Sequence, residues 1–212
     1  MFETLVDGFN KTIYMVFFST LFSVILGFIL AISLITTSPK GLKPNKVIYK
    51  ILDTIINIVR GFPFIILMVA IIPFTKLIVG KSIGETAAIV PLTIAAAPFV
   101  ARIIESALKE VDPGVIEAAK SFGASNTQII FRVMLKEAVP SIISGLTITI
   151  ISIIGYSAMA GTVGAGGLGD IAVRYGYQRY ETDIMIVTVI ILIIIVQVLQ
   201  SLGDYLYKRL SK

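Results

Sequence analysis

The sequence predicts an all-α polytopic membrane protein with five transmembrane helices. Three observations predict it. Of the 212 residues 56% are apolar and 15% charged, with a mean hydropathy of +0.94; a soluble domain is about 45–50% apolar and about 25% charged. Five apolar stretches are each long enough to cross a hydrocarbon core about 30 Å thick, which takes about 20 helical residues. Lysine and arginine collect in alternate links between those stretches, as they do in a chain that weaves through a bilayer.

The spans are read at about 12–37, 55–79, 85–108, 139–162 and 184–205, within one transmembrane domain of residues 1–212. The first is read as a retained span: Glu3 and Asp7 precede it with only Lys11 positive, and its apolar run is longer than a signal core. Arg60 and Pro63 open the second, with Arg60 expected to snorkel to the inner surface. The third is rich in alanine and contains Pro91 and Pro98, tolerable where neighbouring helices satisfy the freed carbonyls. The fifth carries no charge from Ile184 to Leu199, and Asp204 at its inner end is expected to face water or pair with Arg209.

Thirteen of the 18 lysines and arginines fall on one side, around residues 40–60, 102–136 and 208–212. That side is cytoplasmic, so the N-terminus is placed outside and the C-terminus inside. The net charge of +5 thereby reports topology, and no nucleic-acid partner is expected.

Composition also limits chemistry. With neither Cys nor His there is no disulfide, no thiol nucleophile and no common zinc ligand or general base. No catalytic residue, metal or cofactor is assigned. GAGGLG, residues 164–169, matches a dinucleotide fingerprint in letters only: a span precedes it and no strand–helix–strand unit surrounds it. It is read as a flexible outer turn. Gly80-Lys81-Ser82 lacks the glycine a phosphate loop needs five positions earlier, where Thr75 stands.

The informative segment is the inner link at 110–138. Asp112 followed by Pro113 starts a short helix, the carboxylate capping free N–H groups and the proline suiting the first turn. Gly123 supplies a left-handed stop. Ser125 with Gln128 forms a capping box for a second helix. Pro140 is expected to mark the turn into the fourth span. Ala118 and Ala119 leave a low surface for close approach, and Glu117 and Lys120 offer polar contacts at its edge.

EAAKSFGAS, residues 117–125, resembles the EAA loop in membrane subunits of bacterial ABC importers. Residues 57–102 and 155–180 are similar to the methionine importer permeases, a five-span branch of that family, and the likeness covers nearly the whole chain. One departure is visible: Lys136 stands where those permeases usually have proline, which implies a longer or less kinked second inner helix. The resemblance implies a type I ABC importer permease fold in the bacterial cytoplasmic (inner) membrane. It implies a homodimer, two ABC ATPase subunits that hold Mg-ATP, and an external methionine-binding lipoprotein. Glu117, Ala118, Ala119, Lys120 and Gly123 would then form the coupling helix seated on each ATPase.

Polar groups inside spans are candidates for a pathway or gate. The fourth span offers Thr147, Thr149, Ser152, Tyr156 and Ser157, with Met159 near the outer end as an adaptable apolar gate. The competing roles are back-bonding for the hydroxyls, an interfacial anchor for Tyr156 and simple packing for Met159. The alternative function is a self-standing channel or ion-coupled carrier. Such a carrier usually buries Asp, Glu or His at mid-membrane, and none is read in these spans.

Overall fold

Small residues set the first packing event. The computed structural model describes residues 2–211. Helix α1 (Phe2–Thr37) buries Ser19, Ser23, Gly27 and Ala31, one per turn along one stripe. Against it lies α5 (Glu85–Lys109), whose buried face is largely alanine and carries both internal prolines. Small side chains let two backbones approach closely, which substitutes for a hydrophobic drive that lipid cannot supply. At Gly27 a Cβ would sit 2.6 Å from the Val100 Cβ, and Ser23 donates to the Thr93 carbonyl at 3.3 Å. α5 is the central, most buried helix.

The stretch expected as a second span is not one rod. It comprises α2 (Lys46–Gly61), α3 (Phe64–Ala70) and α4 (Ile72–Val79). The axes of α2 and α3 differ by 106°. The cause is local: Pro63 cannot donate to the preceding turn and forces Phe62 out of helical geometry. The start of α2 is a helix cap that the hydropathy reading passed over: Asn45 Oδ1 accepts from the Val47 and Ile48 N–H groups at 3.1 Å each.

Helix α6 (Pro113–Ser121) leads to α7 (Asn126–Ala165), which is continuous as far as a kink at Val163–Gly164. Its second turn is widened to π geometry at Ile129–Met134. The helix passes straight through Lys136 and through Pro140, so Pro140 is not the turn expected there. The carbonyl that Pro140 orphans belongs to exposed Lys136, where solvent can satisfy it. Ile104 and Leu108 of α5 pack with Ile129, Ile130 and Met134 of α7 in one buried cluster, and Ile116 and Ala119 of α6 rest on it.

The glycine-rich segment is likewise not a flexible turn. After a kink at Val163–Gly164, α8 (Gly167–Ile171) continues in wide turns over Ala172–Tyr177. Gly167, Leu168, Gly169 and Ile171 are buried. The Leu168 N–H donates to Thr12 Oγ1 at 2.9 Å. This packing ties α8 to the stretch of α1 at the start of its apolar run.

Last comes α9 (Thr182–Leu210), which buries only Thr188 and Gly203 and leaves Ile186, Ile190, Ile193 and Val198 exposed. Asp204 accepts from Gln200 at 2.9 Å rather than pairing with Arg209. Among the described residues four helices are long and apolar enough to span, five if the bent α2–α3 pair is one span.

Candidate functional site

The inner knuckle is built as its sequence dictates. Asp112 Oδ1 accepts from the Gly114 N–H at 2.7 Å, with Pro113 beside it in the first turn of α6. Gly123 has φ of +77°, a conformation L side chains rarely adopt, and nothing lies within 4 Å of where its Cβ would be. Its requirement is therefore conformational, not steric. The Ser125–Gln128 capping box closes in both directions, at 2.8 and 3.3 Å.

No residue of α6 is buried. Glu117, Ala118 and Lys120 are exposed, while Ala119 turns inward onto the core. The two alanines thus divide: Ala118 offers the low outer surface and Ala119 the seat. The sequence reading missed Phe122, which stands 91% exposed at the apex of the knuckle, beside exposed Val115. An aromatic there, between a lysine turn and a left-handed glycine, is the signal that was available.

The candidate pathway residues separate into an open and a buried side of α7. Ser152, Tyr156 and Met159, spaced four and three apart, share an open face with Ile148. Ser157 is buried on the other side, while Thr149, seven residues before Tyr156, is buried at the edge of the open face. All the hydroxyls back-bond: Thr147 to Ile143, Thr149 to Gly145, Ser152 to Ile148 and Ser157 to Ile154, at 2.7–3.0 Å. Their polarity is absorbed locally. Tyr156 stacks on Phe64 of α3, with ring centroids 4.9 Å apart and planes 16° from parallel.

A polar cluster that the sequence reading missed joins α2 to the inner end of α5. Arg102 Nη1 donates to Glu105 Oε2 at 2.7 Å, and its Nη2 pairs with Asp53 and donates to Asn57 Oδ1 at 3.0 Å. Glu105, only 2% exposed, also receives Lys109 Nζ at 2.6 Å and Tyr49 Oη at 3.3 Å. The spans therefore do contain a buried carboxylate, at the inner end and fully paired. Arg60 is exposed, and its guanidinium lies over the Phe99 ring at 5.0 Å. On the outer side, Asp170 hydrogen-bonds Arg174 and holds its guanidinium above the ordinary pKa. Among the described residues no group of three or more Asp and Glu is placed to hold a metal ion.

With this geometry in hand, the comparisons with known proteins are specific. The family model for the binding-protein-dependent transport system inner membrane component matches residues 23–212. The probable D-methionine transport system permease protein MetI of Vibrio cholerae is 55% identical over 201 residues, covering 95% of this chain and 89% of that one. The methionine import system permease protein MetP of Bacillus subtilis is 44% identical over 84% of this chain and 81% of that one. A solved inward-facing MetNI methionine ABC transporter matches with a TM-score of 0.98 at 44% identity, over 100% of this chain and 98% of the other. An amino acid ABC transporter at 23% identity has the same fold, with a TM-score of 0.80.

Proposed function

The chain belongs to the binding-protein-dependent transport system inner membrane component family, and from that membership we propose that it is the permease of an ATP-driven methionine importer. In this reading two copies form the passage, two ATPase subunits sit beneath them, and an external binding lipoprotein delivers methionine. The names of the relatives support the substrate. One observation carries the division of labour: α6 is a capped helix with no fully buried residue, its outward side open and its Ile116 and Ala119 anchored on the α5–α7 core.

Glu117, Ala118, Lys120 and Phe122 form the surface presented to an ATPase. Ala119 and Gly123 fix that surface in place. A rigid seat transmits displacement to α5 and α7, whose inner ends share its cluster. Nucleotide drives alternating access only if it binds the inward and outward conformations unequally. The open face of Ser152, Tyr156 and Met159 lines the passage, with Phe64 of α3 stacked at its side. That face is mostly apolar, so selectivity rests chiefly with the external protein. The knuckle faces the cytoplasm, with the N-terminus outside and the C-terminus inside.

The test is reconstitution of the chain with its ATPase and binding protein in liposomes. Methionine accumulates only with ATP and only with the ATPase present. Accumulation by the chain alone on an ion gradient would overturn the reading in favour of a self-standing carrier. Gly123→Pro and Glu117→Lys weaken the complex or uncouple hydrolysis from uptake; unchanged complex yield and unchanged uptake in both would remove α6 from the coupling role.

A further inference from the structure

We propose that Arg102 and Asp53 are positioning residues for transport, forming a releasable latch that carries movement of the inner knuckle to the broken second span. The inference rests on the reading that α6 receives the push of the ATPase.

The starting observation is how little else holds α2. Ile56 is its only buried side chain, supported by half-buried Tyr49 and Leu52. Ile48, Ile51, Ile55 and Ile58 form an exposed stripe on another face. Apolar contact of this kind lets a helix slide or roll. The charge-assisted contacts come from Arg102, which reaches across 49 residues of sequence to Asp53 and 45 to Asn57; beside them stand the Tyr49 hydroxyl on Glu105 at 3.3 Å and Arg60 over the Phe99 ring. Charge-assisted bonds to a guanidinium fix orientation as well as separation.

Stability does not explain such a cluster. Buried ion pairs often contribute no more than apolar side chains of the same volume, because desolvation offsets their attraction. What the arrangement supplies is a pair of alternatives. Glu105 is held by three donors, from Arg102, Lys109 and Tyr49, and is sealed from solvent. Asp53 is one-third exposed. If Asp53 swings away, Arg102 keeps Glu105 and no buried charge is orphaned, while the freed carboxylate enters water. The contacts of Glu105, including the one from Tyr49 at the start of α2, are fixed, and the Asp53 contact farther along α2 is the releasable one.

Its position gives the latch a use. Arg102 lies about two helical turns before the end of α5, and Ile104 and Leu108 of the same stretch share the core cluster on which α6 rests. On the far side, α2 ends at the Phe62–Pro63 break, beyond which Phe64 stacks on Tyr156. Closed, the latch makes α2 follow α5. Open, it leaves α2 pivoting on the Tyr49–Glu105 contact near its start, with its far end free to move.

The experiment uses the reconstituted complex of this chain with its ATPase and external binding protein. Asp53→Asn, Asp53→Lys and Asp53→Glu each leave the Glu105 half intact. Complex yield, ATP hydrolysis and methionine taken up per ATP are read separately. For Asp53→Lys we expect yield and hydrolysis to stay within about twofold of the unaltered complex, and uptake per ATP to fall about tenfold, an ordinary size for a coupling free energy. Asp53→Asn falls between, and Asp53→Glu, which keeps the charge, recovers uptake to within about threefold. Unchanged uptake per ATP in Asp53→Lys overturns the proposal. So does a parallel loss of yield, hydrolysis and uptake, which marks a structural clasp. Gly123→Pro, run beside them, separates the two readings: if it uncouples while Asp53→Lys does not, only the latch is lost, and if it is silent the α6 reading fails first.

Discussion

The two ends of the molecule are joined by opposite means. At the inner end helices meet through caps, a guanidinium–carboxylate cluster and an exposed knuckle. At the other end they meet across glycines, with Gly8 under the Ile171 side chain, Gly167 under those of Thr12 and Met15, and Gly169 against the Ala158 backbone. Directional polar contacts can break and re-form around a charge that keeps another partner. A glycine contact has no alternative arrangement, because any added atom occupies space the neighbour already fills. The difference teaches where movement can be tolerated: the contacts at the α6 end can exchange partners, whereas those of the glycine closure cannot.

The sharpest way to break that comparison is at Gly169, where a side chain would fall on the Ala158 backbone. Gly169→Val should cost about 3 kcal/mol or more through overpacking, read as a large fall in thermal midpoint in detergent. A normal midpoint would mean the glycine closure is looser than described. Next in size is Phe122→Ala. The side chain touches little of its own chain, so the isolated permease should keep its midpoint, whereas affinity for the ATPase should fall by about 2 kcal/mol, roughly thirtyfold, as for an aromatic anchor. A binding titration against the ATPase checks it.

Gly123→Ala tests conformation alone, since space is open there. Forcing alanine to φ of +77° should cost about 1 kcal/mol, seen as a small midpoint shift with a weaker complex. The smallest effect is expected at Thr149→Val. Its hydroxyl only back-bonds to Gly145, so stability should stay within about 0.5–1 kcal/mol and uptake should be unchanged. A marked fall in uptake would return Thr149 to the passage.

How far the sequence was legible follows from the range of each contact. The α6 start at Asp112–Pro113, the Gly123 stop and the Ser125–Gln128 box were all readable, because each closes within about three residues. The polar cluster was half readable. Arg102, Glu105 and Lys109 sit three and four apart at the end of an apolar helix, but nothing local announces that Asp53 and Asn57 complete it. Proline misled twice in opposite senses. Pro63 breaks its stretch, since Gly61 and Pro63 leave the turn without support, while Pro140 is absorbed in a continuous helix whose orphaned carbonyl lies on exposed Lys136.

By itself the sequence determined that the chain is helical, that it crosses a membrane, which side its charges favour, and where its exposed inner helix starts and stops. These depend on hydropathy over about 20 residues and on caps closed by neighbours in the chain. Only the tertiary structure decided that GAGGLG is a packed closure, that the span-four candidates divide between an open and a buried side, and that Arg102 reaches across to Asp53. Each of those depends on which surfaces meet, and a meeting between residues some fifty positions apart leaves no periodic trace in either segment.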